Sequence, residues 1–238
     1  MGLSVLGAAA ALSNPMPETD TLRQYLTSLQ CSCNLHDRSM EVKIQAALPK
    51  LKKQGTMQGL KVISTSGQVA YRFLRFTGDK LVKTDVIARF LTADAQPPET
   101  VGNVARTEEN YKFRFLRAAD YRGATAYVYQ LTPRKKRVGL FKGELWLNAE
   151  TGTPVREKGE SVKSPSVFIK RVKFVRDYTD RESQPASCGA PQRTSITVET
   201  RIAGDAEMVV WQRPVPAAWQ PADTGGVTSD GNITAKGR

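Results

Sequence analysis

Residues 111 to 176 read YKFRFLRAADYRGATAYVYQLTPRKKRVGLFKGELWLNAETGTPVREKGESVKSPSVFIKRVKFVR, and this stretch decides the fold of the chain. Within it, apolar and polar residues alternate in short runs, as in Tyr111 to Phe115 and Tyr127 to Leu131. Turn signals such as Asp120-Tyr121-Arg122-Gly123 and Glu150-Thr151-Gly152 separate these runs. A period of two is typical of strands that bury one face of a sheet. The stretch therefore predicts a curved antiparallel sheet.

The sequence on both sides of this stretch adds further strands. Met40 to Lys53 and Met57 to Ser64 flank Gln54-Gly55-Thr56, which predicts a hairpin turning at that glycine. Gln68 to Phe76 predicts another strand. Near the C-terminus, residues 196–202 alternate and then turn into residues 208–211, which predicts a second hairpin.

Two segments have helical spacing. Residues 19–29 place apolar side chains at i, i+3, i+4 and i+7 behind Thr19 and Asp20, which are candidate capping residues. Residues 84–91 repeat this spacing more briefly behind Thr84-Asp85. The chain as a whole thus predicts an α+β domain of nine to eleven antiparallel strands with two helices.

The ends of the chain differ from the middle. Residues 3–12, LSVLGAAAAL, resemble the end of a secretory signal peptide, although no Lys or Arg precedes Arg23. The run is shorter than the roughly 20 apolar residues that span a bilayer. Residues 214–238 are rich in Pro, Gly and Ala without an apolar period, which predicts a disordered tail. We expect a signal-like or frayed segment at residues 1–16, a single domain at 17–213, and export of the protein from the cytoplasm.

The charge of the chain indicates an anionic partner or surface. Thirty-five Lys and Arg residues against 23 Asp and Glu residues give a formal net charge of +12. An acidic membrane surface and a nucleic acid would both suit this charge. The candidate basic surface comprises a predicted turn and a later strand: Arg134, Lys135, Lys136, Arg137, Lys170, Arg171 and Lys173.

Three cysteines leave an odd thiol. In an exported protein, Cys188 would pair with Cys31 or Cys33, because residues two apart are poorly placed to bridge each other. A zinc site formed by the three cysteines and His36 is the alternative, since His36 is the only histidine. We expect no metal and no cofactor.

Catalytic signatures are absent from the sequence. With one histidine, the chain has little material for a nucleophile and base arrangement. It contains no Gly-x-Ser-x-Gly, no Walker-type glycine loop, no Gly-x-Gly-x-x-Gly and no His-Glu-x-x-His motif. We therefore expect that the protein is not an enzyme.

Several segments resemble bacterial LolA-like proteins, which are similar to the carriers that sort lipoproteins to the outer membrane. These segments are YVYQLTP at 127–133, GLFKGELWL at 139–147, ETGTPVR at 150–156 and KSPSVFIKRVKFV at 163–175. The resemblance is strongest over residues 111–177 and extends more weakly to Trp211. It implies an unclosed, strongly curved half-barrel whose concave face is covered by helices and holds acyl chains.

The resemblance also implies a set of ligand-binding residues. The candidate cavity-lining residues are Tyr71, Phe73, Phe113, Phe115, Tyr127, Tyr129, Leu145 and Phe168. The candidate lid residues on the two helices are Leu22, Leu26, Ile87 and Phe90. Ordinary core packing under a helix is the alternative role for each lining residue.

Three hypotheses follow for function. The first is a periplasmic or otherwise exported carrier that acts as a monomer and binds lipoprotein acyl chains or lipid. It could also contact an acidic membrane surface or an envelope protein. The second is a basic module that binds nucleic acid through the Arg134 to Arg137 turn and the Lys170 to Arg176 strand, which we regard as the weaker reading. The third is a structural or sensory envelope domain without a ligand.

Overall fold

The computed structural model describes residues 15–30, 38–64, 66, 68–95, 104–164, 167–178, 191–201 and 204–215. Two helices and ten strands account for most of them. In chain order they are α1 (Glu18–Gln30), β1 (Arg38–Leu48), β2 (Lys53–Ile63), β3 (Val69–Gly78), α2 (Ala88–Asp94), β4 (Tyr111–Tyr121), β5 (Ala124–Pro133), β6 (Phe141–Asn148), β7 (Pro154–Ser161), β8 (Ile169–Asp177), β9 (Arg193–Thr200) and β10 (Ala206–Val215).

All ten strands form one antiparallel sheet. Its order is β3-β2-β1-β10-β9-β8-β7-β6-β5-β4, so that every neighbour is also a sequence neighbour except the β1–β10 pair. The chain leaves the sheet after β3, passes through α2, re-enters at the opposite edge with β4 and returns strand by strand to β1. Since β3 and β4 are the two ends of this order, the curved sheet stays open. The predicted antiparallel half-barrel of nine to eleven strands with two helices is confirmed.

The β4–β5 hairpin turns where the sequence predicts it. Arg122 and Gly123 have φ values of 56° and 83°, which are the two left-handed positions of a tight hairpin turn. Glycine adopts a positive φ without strain. Arg122 is one of the few described non-glycine residues that have a positive φ.

The first hairpin turns earlier than predicted. The turn is the 3₁₀ segment Pro49–Leu51, closed by Lys52, whose N–H donates to the Pro49 carbonyl at 3.0 Å. Lys52 takes a φ of 52°, and β2 begins at the next residue. Gly55 therefore lies inside a strand, and its missing side chain leaves room for Val82, which a Cβ would approach to 3.2 Å. The prediction of a turn at Gln54-Gly55-Thr56 was wrong, because Gly55 allows close packing against Val82 and does not form a turn.

Both helices begin before their predicted caps. Helix α1 starts at Glu18, so Thr19 and Asp20 lie in its first turn. The second helical segment begins with a π-helical stretch, Val82–Ile87, that runs into α2. The Asp79 carboxylate accepts the Leu81 N–H at 2.8 Å and supplies the cap that was expected at Thr84-Asp85.

The described residues extend slightly past the predicted domain limits. Met16 donates its N–H to the Ala149 carbonyl at 2.9 Å. At the other end, Pro214 and Val215 still pair with β1. The rest of the predicted N-terminal segment, residues 1–14, and residues 216–238 of the predicted tail lie outside the described residues.

Candidate functional site

One face of the sheet carries both helices, and we call it the helix-covered face. A single register row crosses this face through all ten strands. From one edge to the other it consists of Phe115, Tyr129, Leu145, Glu157, Arg176, Thr194, Val210, Ile44, Met57 and Phe76. The row is apolar at both ends and polar in the middle, so the helix-covered face divides into three sectors.

The α1 sector is aromatic. Tyr111, Tyr129 and Leu145 are buried there with Tyr25 of the helix. The Tyr129 hydroxyl donates to the Glu18 carbonyl at 2.6 Å and so ties the sheet to the first turn of α1. Burial raises the pKa of Tyr129, and the nearby Glu18 carboxylate raises it further, so the phenol stays protonated as a donor.

The α2 sector is aliphatic and more tightly closed. Val82, Ile87 and Leu91 are buried against β1, β2 and β10. Asp94, the last residue of α2, accepts hydrogen bonds from the Lys61 ammonium and the Tyr71 hydroxyl, both at 2.5 Å. This charged anchor and the buried side chains hold the second helix firmly on the sheet.

Between these sectors lie the central strands β8 and β9, whose apolar side chains are only half-buried. Phe174 borders the aromatic sector, while Ile196 and Val198 border the aliphatic one. The Phe174 ring meets Phe141 edge to face at 4.9 Å between centroids. Gly159 makes this possible, because a Cβ there would come within 2.4 Å of the Phe141 ring. The central sector thus combines an apolar surface with the polar Arg176 and Thr194 of the register row, and the two helices flank it.

A buried ion cluster lies at the border between the α1 sector and the central sector. Glu157 is 0% exposed and accepts hydrogen bonds from Arg106 and, at 2.7 Å, from Arg176. The second Arg106 contact, from Nη2 to Oε2, measures 2.8 Å. Arg176 also lies over the Phe174 ring at 4.4 Å, and Arg106 over the Phe141 ring at 6.0 Å. The two arginines therefore join the buried carboxylate to the aromatic surface.

The electrostatics of this cluster are set by competition between burial and charge. Burial alone would raise the pKa of Glu157, but the two guanidinium groups outweigh it and lower the pKa to about 2. Burial and the adjacent carboxylate raise the pKa of Tyr178 to about 12. A carboxyl group that stays ionised at neutral pH has no proton to donate, so this geometry serves charge pairing.

Five of the predicted lining residues meet in the α1 sector. They are Phe113, Phe115, Tyr127, Tyr129 and Leu145. Phe115 belongs to the edge strand β4 and is 41% exposed. Its ring packs against those of Tyr127 and Tyr129, with 5.8 Å between ring centroids in each case. Tyr71 is buried in the other helix-covered sector.

Two predicted lining residues lie elsewhere, and those predictions were wrong. Phe73 is 61% exposed, because a β-bulge between β2 and β3 gives it a φ of 54° and breaks the alternation. Phe168 is 62% exposed and precedes the first residue of β8. Neither side chain reaches the interior.

The predicted helix residues face the sheet. Ile87 is fully buried, and Leu22, Leu26 and Phe90 pack half-buried against the two cores. Their role in closing a cavity stays a prediction.

The predicted basic surface is divided between isolated positions. Arg134 to Arg137 are exposed in the β5–β6 turn. Arg171 and Lys173 instead form ion pairs with Glu199, at 3.7 and 3.0 Å, and Arg176 belongs to the opposite face. These pairings interrupt the continuous groove that the nucleic-acid hypothesis requires.

One pocket of about 110 Å³ lies near the β4–β5 turn, between Tyr121, Val155 and Tyr178. Typical ligand pockets have volumes of about 300–1,000 Å³, so this pocket is too small for an acyl chain.

Sequence reasoning missed the role of Arg106 and Glu157. These residues are 51 positions apart, and only the strand register brings Glu157 beneath α1. The one available signal was an acidic residue between two basic neighbours, Arg156 and Lys158, in β7, which an exposed strand position explains equally well.

The predicted cysteine pairing and the alternative zinc site involve Cys31, Cys33, His36 and Cys188, all of which lie outside the described residues. Within the described ranges, no group of three His, Cys, Asp or Glu side chains is arranged to hold a metal ion. None of the helices in those ranges has the length and apolar character to cross a membrane.

Comparison with known proteins found similar structures but no matching family model and no matching curated protein. A domain described as outer membrane lipoprotein-sorting, from Vibrio parahaemolyticus, is 11% identical, with a TM-score of 0.40 over 86% of this chain and 96% of that one. A LolA superfamily protein from Nitrosomonas europaea is 16% identical, with a TM-score of 0.37 over 82% and 94%.

A DUF1329 family protein from Desulfovibrio piger is 11% identical, with a TM-score of 0.41 over 83% of this chain and 92% of that one. The half-barrel architecture rests on the sheet order and register of this chain, and the similar structures add no functional argument. The chain is similar in fold to solved structures of LolA-like proteins.

Proposed function

We propose that this protein binds an apolar ligand, such as the acyl chains of a lipoprotein or lipid, on the central sector of its helix-covered face. The observation that carries this proposal is the half-buried apolar surface of β8 and β9, formed by Phe174, Ile196 and Val198. The sectors on both sides of it are filled by their own helix. The central sector is therefore the region where an added apolar group gains most from burial.

The energetics favour an acyl chain without any reacting group. Each buried CH₂ contributes about 0.8 kcal/mol, so a sixteen-carbon chain offers on the order of 12 kcal/mol before ordering costs. No nucleophile and base pair is part of this proposal, and the ionised Glu157 cluster fits a structural or positioning role. We propose a non-enzymatic protein that needs no cofactor.

The neighbouring α1 is the element that a ligand would displace. Its leucines Leu22, Leu26 and Leu29 are half-buried, whereas Ile87, just before α2, and Leu91 of α2 are at most 2% exposed. In α1 only Tyr25 is a fully buried apolar side chain, against Val82, Ile87 and Leu91 in the second helical segment, so we infer that moving α1 costs less free energy. The ligand therefore lies on the central sector and beneath α1.

The cellular setting follows from the same proposal. The signal-like residues 3–12 and the resemblance to LolA-like proteins support an exported envelope protein that acts as a monomer. In that compartment it would receive lipoprotein acyl chains or lipid and pass them to an envelope partner.

The test compares two neighbouring residues of β9. Ile196 lies on the helix-covered face, and Ser195 lies on the opposite face. The protein and the variants Ile196→Glu and Ser195→Glu are purified, and bound lipid is measured by native mass spectrometry and solvent extraction. Thermal unfolding of each variant verifies folding.

We expect lipid in the unchanged protein and in Ser195→Glu, and loss of lipid in Ile196→Glu. Equal lipid content in both variants would place the ligand elsewhere. Absence of lipid from all three proteins, together with no uptake of palmitate, would favour a structural or sensory domain without a ligand.

A further inference from the structure

A row of cations crosses the face of the sheet opposite the helices, which we call the outer face. The strand register aligns one residue from each strand in this row. From β3 to β4 they are Arg75, Gln58, Lys43, Trp211, Arg193, Asp177, Arg156, Trp146, Val128 and Arg117. Five of the ten are cations and one is a carboxylate. We call this set the cationic row.

Other rows of the outer face carry less net charge. The row that contains Glu160 and Lys173 also contains Lys142 and Glu207, and its charges cancel. Lys173 forms an ion pair with Glu199 at 3.0 Å. Positive charge is therefore concentrated along one line of the outer face.

Part of the cationic row is neutralised and part is not. Near β4, Arg117 lies 3.6 Å from Glu144, and Arg156 lies 3.8 Å from Asp177. Lys43 and Arg193 pair with Trp211 from either side, and both are exposed. Within the described part of the chain, neither of these two cations forms an ion pair. The segment whose two cations form no ion pair is thus Lys43, Trp211 and Arg193, with Asp177 as the register neighbour of Arg193 on β8.

The chemistry of this segment fits the headgroup region of a bilayer. Tryptophan is enriched at membrane interfaces, and Lys and Arg are attracted to the negative charge of acidic lipids. Lys43 lies over the Trp211 ring at 5.9 Å, so the ammonium and the indole present one combined cationic and amphipathic surface. The segment is central in the sheet and lies on the face opposite both helices, where a bilayer surface can reach it.

A single-stranded nucleic acid fits the segment less well. Such strands bind in basic grooves, with bases stacked on free aromatic faces. Here the two exposed cations form no ion pair with a described residue but flank a single tryptophan, and one of them occupies a face of the Trp211 ring. The second tryptophan of the row, Trp146, is similarly covered by Arg117 at 5.5 Å.

We propose that the segment around Trp211 docks this protein onto bilayers that contain anionic phospholipid. The docking surface is on the face opposite the proposed ligand site, so the two can act together. The inference rests on the cationic row alone and stands whether or not an acyl ligand binds.

The test measures partition of the full chain into phosphatidylcholine vesicles with and without phosphatidylglycerol, by co-sedimentation at low salt. The variant Lys43→Gln/Arg193→Gln removes two charges from the segment. Its control, Lys135→Gln/Lys136→Gln, removes the same charge from the exposed β5–β6 turn. Circular dichroism and thermal unfolding verify that both variants fold.

We expect the unchanged protein to bind only vesicles that contain phosphatidylglycerol, and the binding to weaken with added salt. The segment variant should partition about 25-fold less, since each cation near an acidic surface contributes about fivefold, and the control should change less than about twofold. Equal losses of vesicle binding in both variants would show that binding follows net charge alone, and this would overturn the proposal. So would unchanged binding of the segment variant.

A second readout reports on Trp211 directly. In the variant Trp146→Phe/Trp219→Phe, Trp211 is the sole tryptophan, and its emission should shift to the blue on binding acidic vesicles. Unshifted emission with bound vesicles would place the contact elsewhere. Binding of an oligothymidine that depends on Lys43 and Arg193, without vesicle binding, would assign the segment to nucleic acid.

Discussion

The two helices lie on one sheet face but are held there by different means. Helix α2 and the π-helical turn before it bury Val82, Ile87 and Leu91, and Asp94 fixes the end of the helix through Lys61 and Tyr71. Helix α1 buries mainly Tyr25 and Thr21, and its three leucines stay half-buried. The difference indicates that α2 is a fixed part of the core, whereas α1 is a cover that can move.

The charged groups follow the same division. The α2 anchor is a single carboxylate at a helix end, accessible in part to water. Next to α1, Glu157 is fully buried between Arg106 and Arg176. A buried charge is costly without its partners. The stability of the α1 sector should therefore depend on its single carboxylate more strongly than the stability of the α2 sector does.

Replacing Glu157 should have the largest effect. In Glu157→Gln, two guanidinium groups lose their shared counter-charge, which should cost about 3–5 kcal/mol of unfolding free energy. Urea denaturation measures the change. Glu144→Gln is the matched control, because Glu144 is a partly exposed carboxylate that also contacts two cations, and its loss should cost less than about 1 kcal/mol. Similar costs for the two variants would contradict the burial of charge beneath α1.

Truncating one leucine in each helix should separate the fixed helix from the movable one. Leu91→Ala in α2 removes a side chain that is 2% exposed and should cost about 2–5 kcal/mol. Leu26→Ala in α1 removes a half-buried side chain and should cost on the order of 1 kcal/mol. Thermal or urea unfolding of the pair provides the comparison. If Leu26→Ala were the more costly change, the roles of the helices would be reversed.

Acid should weaken the α1 sector through Glu157. Its pKa is about 2 in the folded protein, below its ordinary value of 4.5, so its stabilising contribution is complete above pH 4.5 and is lost as the pH falls toward 2. The contribution of Glu157 ionisation to the unfolding free energy is on the order of 3 kcal/mol. Unfolding free energies measured across that range should fall steeply in the unchanged protein and less in Glu157→Gln. Parallel curves for the two proteins would exclude Glu157 as the acid-sensitive group.

Two tyrosine substitutions provide the finest comparison. Tyr71→Phe removes a donor to the Asp94 carboxylate and should cost about 1.5–3 kcal/mol, since bonds to charged acceptors are the stronger ones. Tyr129→Phe removes a donor to the neutral Glu18 carbonyl and should cost about 0.5–1.5 kcal/mol. Chemical denaturation resolves this difference, and the reverse order would indicate that the α1 tie is the stronger one.

Much of the sheet could be predicted from local pattern because its strands bury one face. Tyr111 to Phe115 and Tyr127 to Leu131 alternate with the correct period, and Arg122-Gly123 forms the predicted turn. The pattern fails where packing overrides it, as at Gly55, which lies in a strand beneath Val82, and at Phe73, which a bulge turns outward.

The site was harder to predict because it depends on register across several strands. Glu157 and Arg176 are neighbours only through the β7–β8 pairing, and Arg106 reaches them from before β4. The cationic row likewise combines residues from ten strands, so a search for local runs such as Arg134 to Arg137 does not detect it.

The most direct test of a ligand beneath a movable α1 is hydrogen exchange of the protein with and without palmitate, followed by mass spectrometry. The account predicts that amide protection rises in β8 and β9, falls in residues 18–30 of α1 and stays unchanged in α2. The variant Ile196→Glu should show none of these changes. Altered protection in α2 with an unchanged α1, or no change at saturating palmitate, would contradict the account.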